Sequence, residues 1–326
     1  CHVERCGEYW GVPLGWELTP FEGMVLGSGV TLSDVGFFEF PFVRKRGNVT
    51  TTLNPDGVSV WRDDAPLGGC IWAKHGVWAR NDSTGEPQLL KPDYFATHPR
   101  TGKRIDFYRD YMVPFYRTYA AAITRQIPDA SILLTPHLDY YHPQKTFQPS
   151  VHDVATPNDD NNNTTFTKLI YSPHYYDLHT LITKSYNHHI AIDPITQYPH
   201  FGPGAQHRVH TNVISHLTLT SSRAISGPRR RVPALVTETG IPFDMDNKRA
   251  YATGGGDYSM PIMALDALLT AYEATAASFV LWNYCPDHTN GRGDGWNGED
   301  LSVFSYDYRR DEEDLHSGGR ALQVVV

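Results

Sequence analysis

Short apolar runs bounded by turn residues recur along the C-terminal two thirds of this chain, with helically spaced stretches between them. Ser131–Thr135, Lys168–Tyr171, Ala234–Thr237 and Ser278–Trp282 each read as a short buried strand. From about Ile105 to Gln126, apolar residues return every three or four positions, at Tyr108, Met112, Phe115, Tyr119 and Ala122. That spacing predicts a helix, which Pro114 should bend. Val209, Val213, Ile214 and Leu217 mark the inward face of a second helix. A third runs from Met260 to Ala274, with Pro261 in its first turn and Ile262, Leu265, Leu269 and Tyr272 inward. Strands alternating with helices specify a parallel sheet covered by helices.

Residues 11–104 break this rhythm. They are rich in Gly, Pro and turn residues and carry only short strand-like pieces such as Gly36–Phe40. The expected division is a loop-rich region over 1–104 and a strand–helix region over 105–326. Four strand–helix units are countable where a β/α barrel needs eight. A half-barrel leaves two sheet edges open, so the chain reads as the C-terminal half of something larger.

Composition narrows the function classes. The chain has 326 residues, 40% hydrophobic, and a net charge of −8. That acidity argues against nucleic acid, and Arg229–Arg231, its basic run, reads as a solvated loop. No apolar stretch is long enough to cross a bilayer. Cys1, Cys6, Cys70 and Cys285 are too few and scattered for a disulfide framework. The His207, His210 and His216 set lacks a metal-ligand pattern, so no metal is implied. Sequons at Asn48, Asn81 and Asn163 weakly allow a secretory route.

Chemistry gathers at three strand ends. Lys168–Tyr171 is followed by Ser172-Pro173-His174-Tyr175-Tyr176-Asp177. Ala234–Thr237 delivers Glu238 and then meets Gly240 and Pro242, which stop the strand. Ser278–Leu281 leads into Trp282-Asn283-Tyr284 and a loop rich in Gly, Asp and Trp that runs to Asp300. A lone Glu238 would read as an ordinary salt bridge. Aromatics, a histidine and a carboxylate at one barrel mouth compose a sugar site, where rings stack on pyranose faces and polar groups fix hydroxyls.

PHYYD, VTETGIPFDM and LWNY…GDGWNGEDLSVFS, with TPFEGMVLGSG near Thr19 and GGRAL near Leu322, resemble glycoside hydrolase family 5. The closer likeness is to its fungal endoglycoceramidase-related branch of glucocerebrosidases and steryl β-glucosidases. The resemblance implies an α/β fold of the (β/α)8 TIM-barrel family, of which this chain covers mainly strands five to eight plus the long insertion. The family's C-terminal β-sandwich is expected to be absent or cut off. The implied activity is retaining hydrolysis of a β-glucoside on a lipid or sterol, without a cofactor. A lipid substrate implies transient contact with a membrane surface, and the family implies a cytoplasmic or vacuolar setting.

Carried over residue by residue, Glu238 matches the nucleophile. Tyr176 would lie against it and hold it ionised, and His174 would contact the sugar or the partner carboxylate. Trp282 would floor the glucose subsite, with Asn283 and Asp287 as hydroxyl contacts. Glu299 and Asp300 are alternatively the ties that hold the final loop. Trp72 and Trp78 could line an aglycone groove or form a packing cluster.

Retaining hydrolysis needs a second carboxylate about 5–5.5 Å from the first. The family supplies it from Asn-Glu-Pro, a string this sequence does not contain. Glu86 sits in a turn, and Glu4, Glu8 and Glu17 follow no strand, so the acid/base is expected upstream of Cys1. Two alternatives stay open: an inert product lacking its acid/base, and a β-glucanase of the same family.

Overall fold

The computed structural model describes residues 15–16, 19–35, 37–38, 51–62, 69–136, 168–196, 198–221, 232–251, 256–296, 298–311, 314 and 317–324. Cys1, Cys6, Glu4, Glu8, Glu17, the Asn48 and Asn163 sequons and Arg229–Arg231 lie outside those residues. The chain divides into two compact units, Cys1–Met112 and Val113–Val326.

The first unit is made of small hairpins and short helices. Gly15–Trp16 (β1) pairs antiparallel with Phe37–Phe38 (β3), and Leu32–Val35 (β2) with Thr51–Leu53 (β4). Between β1 and β2, Pro20–Gly27 (α1) opens on a capping box, Thr19 with Glu22, and carries proline in its first turn. Ile71–Lys74 (α2) precedes the hairpin of Trp78–Arg80 (β5) and Pro87–Leu89 (β6). The turn of that hairpin holds Glu86, whose carbonyl accepts from the Asn81 backbone N–H. Trp78 is buried with Val25, Val30 and Val77, and Trp72 packs on this cluster and edge-on against Phe95. Of the two roles open to these tryptophans, the structure places them in packing. Tyr108–Met112 ends the unit as a π-helical turn.

The second unit carries the alternating pattern. Val113–Gln126 (α3) leads into Ile132–Leu134 (β7), which pairs parallel with Leu169–Tyr171 (β8). His174–Tyr175 (β9) resumes the line of β8 after Ser172-Pro173 and pairs parallel with Leu235–Thr239 (β12). Parallel bridging from Tyr171 to Ala234 joins the pieces, and β12 pairs parallel with Ser278–Leu281 (β13). Leu178–Thr183 (α4), the hairpin of Ile190–Ile192 (β10) with Pro199–Phe201 (β11), and Ala205–Ser215 (α5) lie between β9 and β12. Ser259–Thr275 (α6) lies between β12 and β13 and packs against α5. The fold is mixed α/β, and among the described residues the parallel strands do not close into a barrel.

The four predicted strands appear where the apolar runs placed them. Val236 and Tyr171 are fully buried and Leu134 nearly so, each burial removing about 1.5–3 kcal/mol of apolar exposure. Val209, Val213, Ile214 and Leu217 are buried as expected. On α6, Leu265 and Tyr272 are buried while Ile262 and Leu269 are only partly so.

The first predicted helix needs correction. Regular α-helix begins at Val113, not near Ile105. The residues immediately before it, Tyr108–Met112, are π-helical, so the change from π to regular α winding falls beside Pro114. The buried face is Val113, Tyr116 and Ala120, whereas Phe115 and Tyr119 are exposed and stacked on each other. Tyr116 decides this rotation by donating its hydroxyl to the carbonyl of Thr135. An aromatic repeat alone could not locate that partner.

Candidate active site

Strand β12 buries Val236 and Thr239, three residues apart, across an irregularity in its pairing with β13. Glu238, between these two, keeps its side chain 29% exposed. Gly240 follows because a Cβ there would meet the carbonyl oxygen of Trp282 at 2.2 Å. The glycine lets β13 approach closely, and the Trp282 N–H donates to Thr239 at 2.7 Å.

Strand β9 is registered with His174 opposite Glu238 and Tyr175 opposite Thr239. Tyr175 bonds His210 of α5, so its neighbours His174 and Tyr176 project the other way. The Tyr176 hydroxyl donates to Glu238 Oε1 at 2.7 Å. His174 Nδ1 stands 3.4 Å from Glu238 Oε2. Burial pushes the Tyr176 phenol far above its usual range, and the bond and charge of Glu238 and the charge of Glu299 push it further. A phenol that keeps its proton can only donate toward the carboxylate. The three predicted catalytic residues are thus brought together around one solvent-accessible carboxylate.

The predicted sugar contacts are distributed differently. Trp282 is 36% exposed at the tip of β13. Asn283 donates through Nδ2 to Asp294 at 3.3 Å, and its Oδ1 is buried without a hydrogen-bond partner. Asp287 is 74% exposed and ion-paired to Arg292 at 2.9 Å within the loop. The Arg292-Gly293-Asp294 triplet is structural: Asp294 accepts from the backbone of Leu301 and Ser302.

Beyond Asp300, the sequence did not reveal the cluster that holds this loop. Asp300 receives Arg320 at 2.6 Å, the hydroxyl of Tyr251, and lies 2.9 Å from His288 Nε2. His288, Asp294 and Asp300 are close enough to bind a metal together. The Arg320 guanidinium occupies the cation's place, against Asp300 and 3.1 Å from His288 Nε2. A buried arginine has to find a carboxylate, so the arginine of GGRAL was the one available signal. Of the paired alternatives, Asp300 holds the loop, while Glu299 adds its charge near Tyr176.

No protein-family profile matches the chain. A glucosylceramidase of Rhizopus delemar is 28% identical across 100% of this chain and 47% of its own length. One from Aspergillus fumigatus is 32% identical over 90% of this chain and 39% of its own. The crystal structure of Cryptococcus neoformans sterylglucosidase 1 superposes with a TM-score of 0.75 at 29% identity, covering 97% of this chain and 46% of that one. The chain is thus similar, over most of its length, to fungal glucosylceramidases and a sterylglucosidase, the likeness its sequence motifs suggested. It spans less than half the length of these relatives. The relatives it matches are glycoside hydrolases by name. Among the described residues, no helix is long and apolar enough to cross a membrane.

Proposed function

We propose that this chain carries the nucleophile side of a retaining β-glucosidase acting on a glycolipid, a steryl glucoside or glucosylceramide. Glu238 attacks the anomeric carbon, and the sugar's bond to the leaving oxygen breaks as a glycosyl ester forms on Glu238. Tyr176 orients the carboxylate and His174 meets the substrate beside it. Trp282 offers a ring face to the pyranose, with Asn283 as a further sugar contact read from the sequence. Protonating a poor leaving group falls to a second carboxylate, about 5–5.5 Å from the first. The observation that carries this reading is the exposed Glu238 carboxylate, bonded at 2.7 Å by a tyrosine and flanked at 3.4 Å by a histidine. The glycolipid preference rests on the relatives, which are named for glucosylceramide and steryl glucoside chemistry.

An activated substrate isolates the nucleophile. 2,4-Dinitrophenyl 2-deoxy-2-fluoro-β-glucoside has a leaving group that needs no proton, and its fluorine slows release of the covalent intermediate. The chain should gain one fluoroglucosyl group, and mass spectrometry should place it on Glu238. Glu238→Gln should lower the labelling rate by about 10⁴-fold or more. Label on another residue, or undiminished labelling of Glu238→Gln, overturns the assignment. An unlabelled wild-type chain favours the inert alternative.

A further inference from the structure

We infer that His210 is a positioning residue for the strand-end site: by its hydrogen bond to Tyr175 it fixes β9, and so holds Tyr176 and His174 against Glu238. The inference rests on the reading of Glu238 as the nucleophile. Strand β9 is thinly held by its backbone. It has two residues, paired to β12 only at Glu238 and Thr239. Pro173 precedes it and has no N–H to offer, although its carbonyl accepts from Thr237 at 3.0 Å. A short strand with so few ladder bonds can shift or twist unless side chains pin it.

Tyr175 supplies the pin. Its hydroxyl lies 2.6 Å from His210 Nδ1, and the two rings meet edge-on with centroids 5.7 Å apart. Both side chains are 3% exposed, so no water competes for the bond. The other end of the tie is rigid: α5 buries Val209, Val213 and Ile214 and packs against α6. Alternation along a strand then converts the anchor into aim. With Tyr175 fixed toward α5, His174 and Tyr176 have one direction left, toward Glu238.

The surroundings keep His210 in the right form. Burial, opposed by Asp177 and aided by His207 on the same helix, pushes its imidazole down to about 4. A neutral ring has one acceptor nitrogen and one donor, which suits a phenol as partner. Asp177 is occupied in capping α4, accepting from His179 and Thr180. Tyr186, Ile241 and Leu268 line the same hollow beside His210.

The test measures labelling by the fluoroglucoside over a range of concentrations in the full chain. Tyr175→Phe and His210→Leu should each lower the labelling rate constant about tenfold and leave the half-saturating concentration unchanged. Their double variant should be no slower than either alone, because both remove one bond. His210→Asn, whose amide oxygen stands where Nδ1 stands, should stay within about threefold of wild type. Unchanged rates in Tyr175→Phe and His210→Leu, or losses that add in the double variant, overturn the inference. Crystal structures of wild type, Tyr175→Phe and His210→Asn give a readout independent of activity. Loss of the Tyr176–Glu238 bond in Tyr175→Phe with its retention in His210→Asn supports the inference, and retention in both overturns it. An unlabelled wild-type chain therefore removes the proposed function while the crystal structures still decide the role of His210. Should Tyr175→Phe not fold, His210→Asn is compared with His210→Gln, whose oxygen stands nearer Nε2, and equal rates in the two overturn the inference.

Discussion

Glu238 and Asp300 are two carboxylates in near-identical company. Each accepts from a tyrosine hydroxyl and stands beside a histidine ring: Tyr176 and His174 for Glu238, Tyr251 and His288 for Asp300. One difference separates them. Asp300 also receives Arg320 at 2.6 Å and is sealed from solvent with it, while Glu238 keeps 29% of its side chain open. The guanidinium balances the charge of Asp300 and uses its acceptor capacity, which leaves a structural tie. At Glu238 the phenol shapes the carboxylate without neutralising it, and solvent or substrate can reach the remaining face. Residue types alone do not separate a reactive carboxylate from a structural one. Counter-charge and access do.

The sharpest way to break the comparison is to take the arginine away. Arg320→Met leaves Asp300 buried without its cation and should cost about 3–5 kcal/mol in chemical denaturation at pH 7. The pH dependence follows from the sign of the shift. Burial pushes the Asp300 carboxyl up, but the His288 bond and the Arg320 charge outweigh it and hold the group well below the usual carboxylate range. Its contribution is therefore complete above the unfolded value of about 3.9 and fades only as pH falls toward the lower folded value. Without Arg320 only the His288 and Tyr251 bonds still oppose burial, so the folded value of the Asp300 carboxyl moves up. The gap between wild type and variant should narrow as pH falls below the unfolded value of about 3.9, where wild type loses what Asp300 contributes. A cost below about 1 kcal/mol, or a gap that widens in acid, would show that Arg320 does not neutralise Asp300.

These two carboxylates also mark what the chain displays in its sequence. Glu238 was legible because an apolar run, Ala234–Thr237, points at it and Gly240 stops it. His174 and Tyr176 were legible for the same reason, being two residues apart at the end of another run. Local period carries such information. The partner of Asp300 was not legible, because Arg320 lies 20 residues away with no periodic signal between them. The same limit explains α3: its aromatic spacing was visible, but the face turned inward depended on the distant carbonyl of Thr135. Strands and their tips follow from sequence pattern, whereas loop closure and helix rotation follow from pairings that only the folded chain makes.

A middle-sized effect sharpens the contrast from the other side. Tyr176→Phe removes the donor at 2.7 Å from Glu238 without stranding a buried charge, since that carboxylate remains open to water. The fluoroglucoside labelling rate should fall on the order of a hundredfold. Thermal melting should move little beside the Arg320→Met loss. The two variants then separate a defect in rate from a defect in stability. A large drop in melting temperature with unchanged labelling would place Tyr176 with Tyr251, as a tie in the structure.

The smallest effect belongs to Asp287, where sequence pattern and structure point to different partners. The pattern made it a hydroxyl contact at the sugar site. In the folded chain it is 74% exposed, with Arg292 at 2.9 Å and the Cys285 thiol at 3.1 Å. The Cys285 bond, and then the charge of Arg292, lower its carboxyl below the usual range. An exposed ion pair of this kind is screened by solvent and adds little to folding. Asp287→Asn should therefore leave thermal melting unchanged and labelling within about twofold of wild type, at every concentration of fluoroglucoside. A labelling rate that falls only at low fluoroglucoside concentration would mean that Asp287 leaves Arg292 to grip the sugar. The loop would then hold two kinds of acid, Asp300 locked by its arginine and Asp287 released from its own.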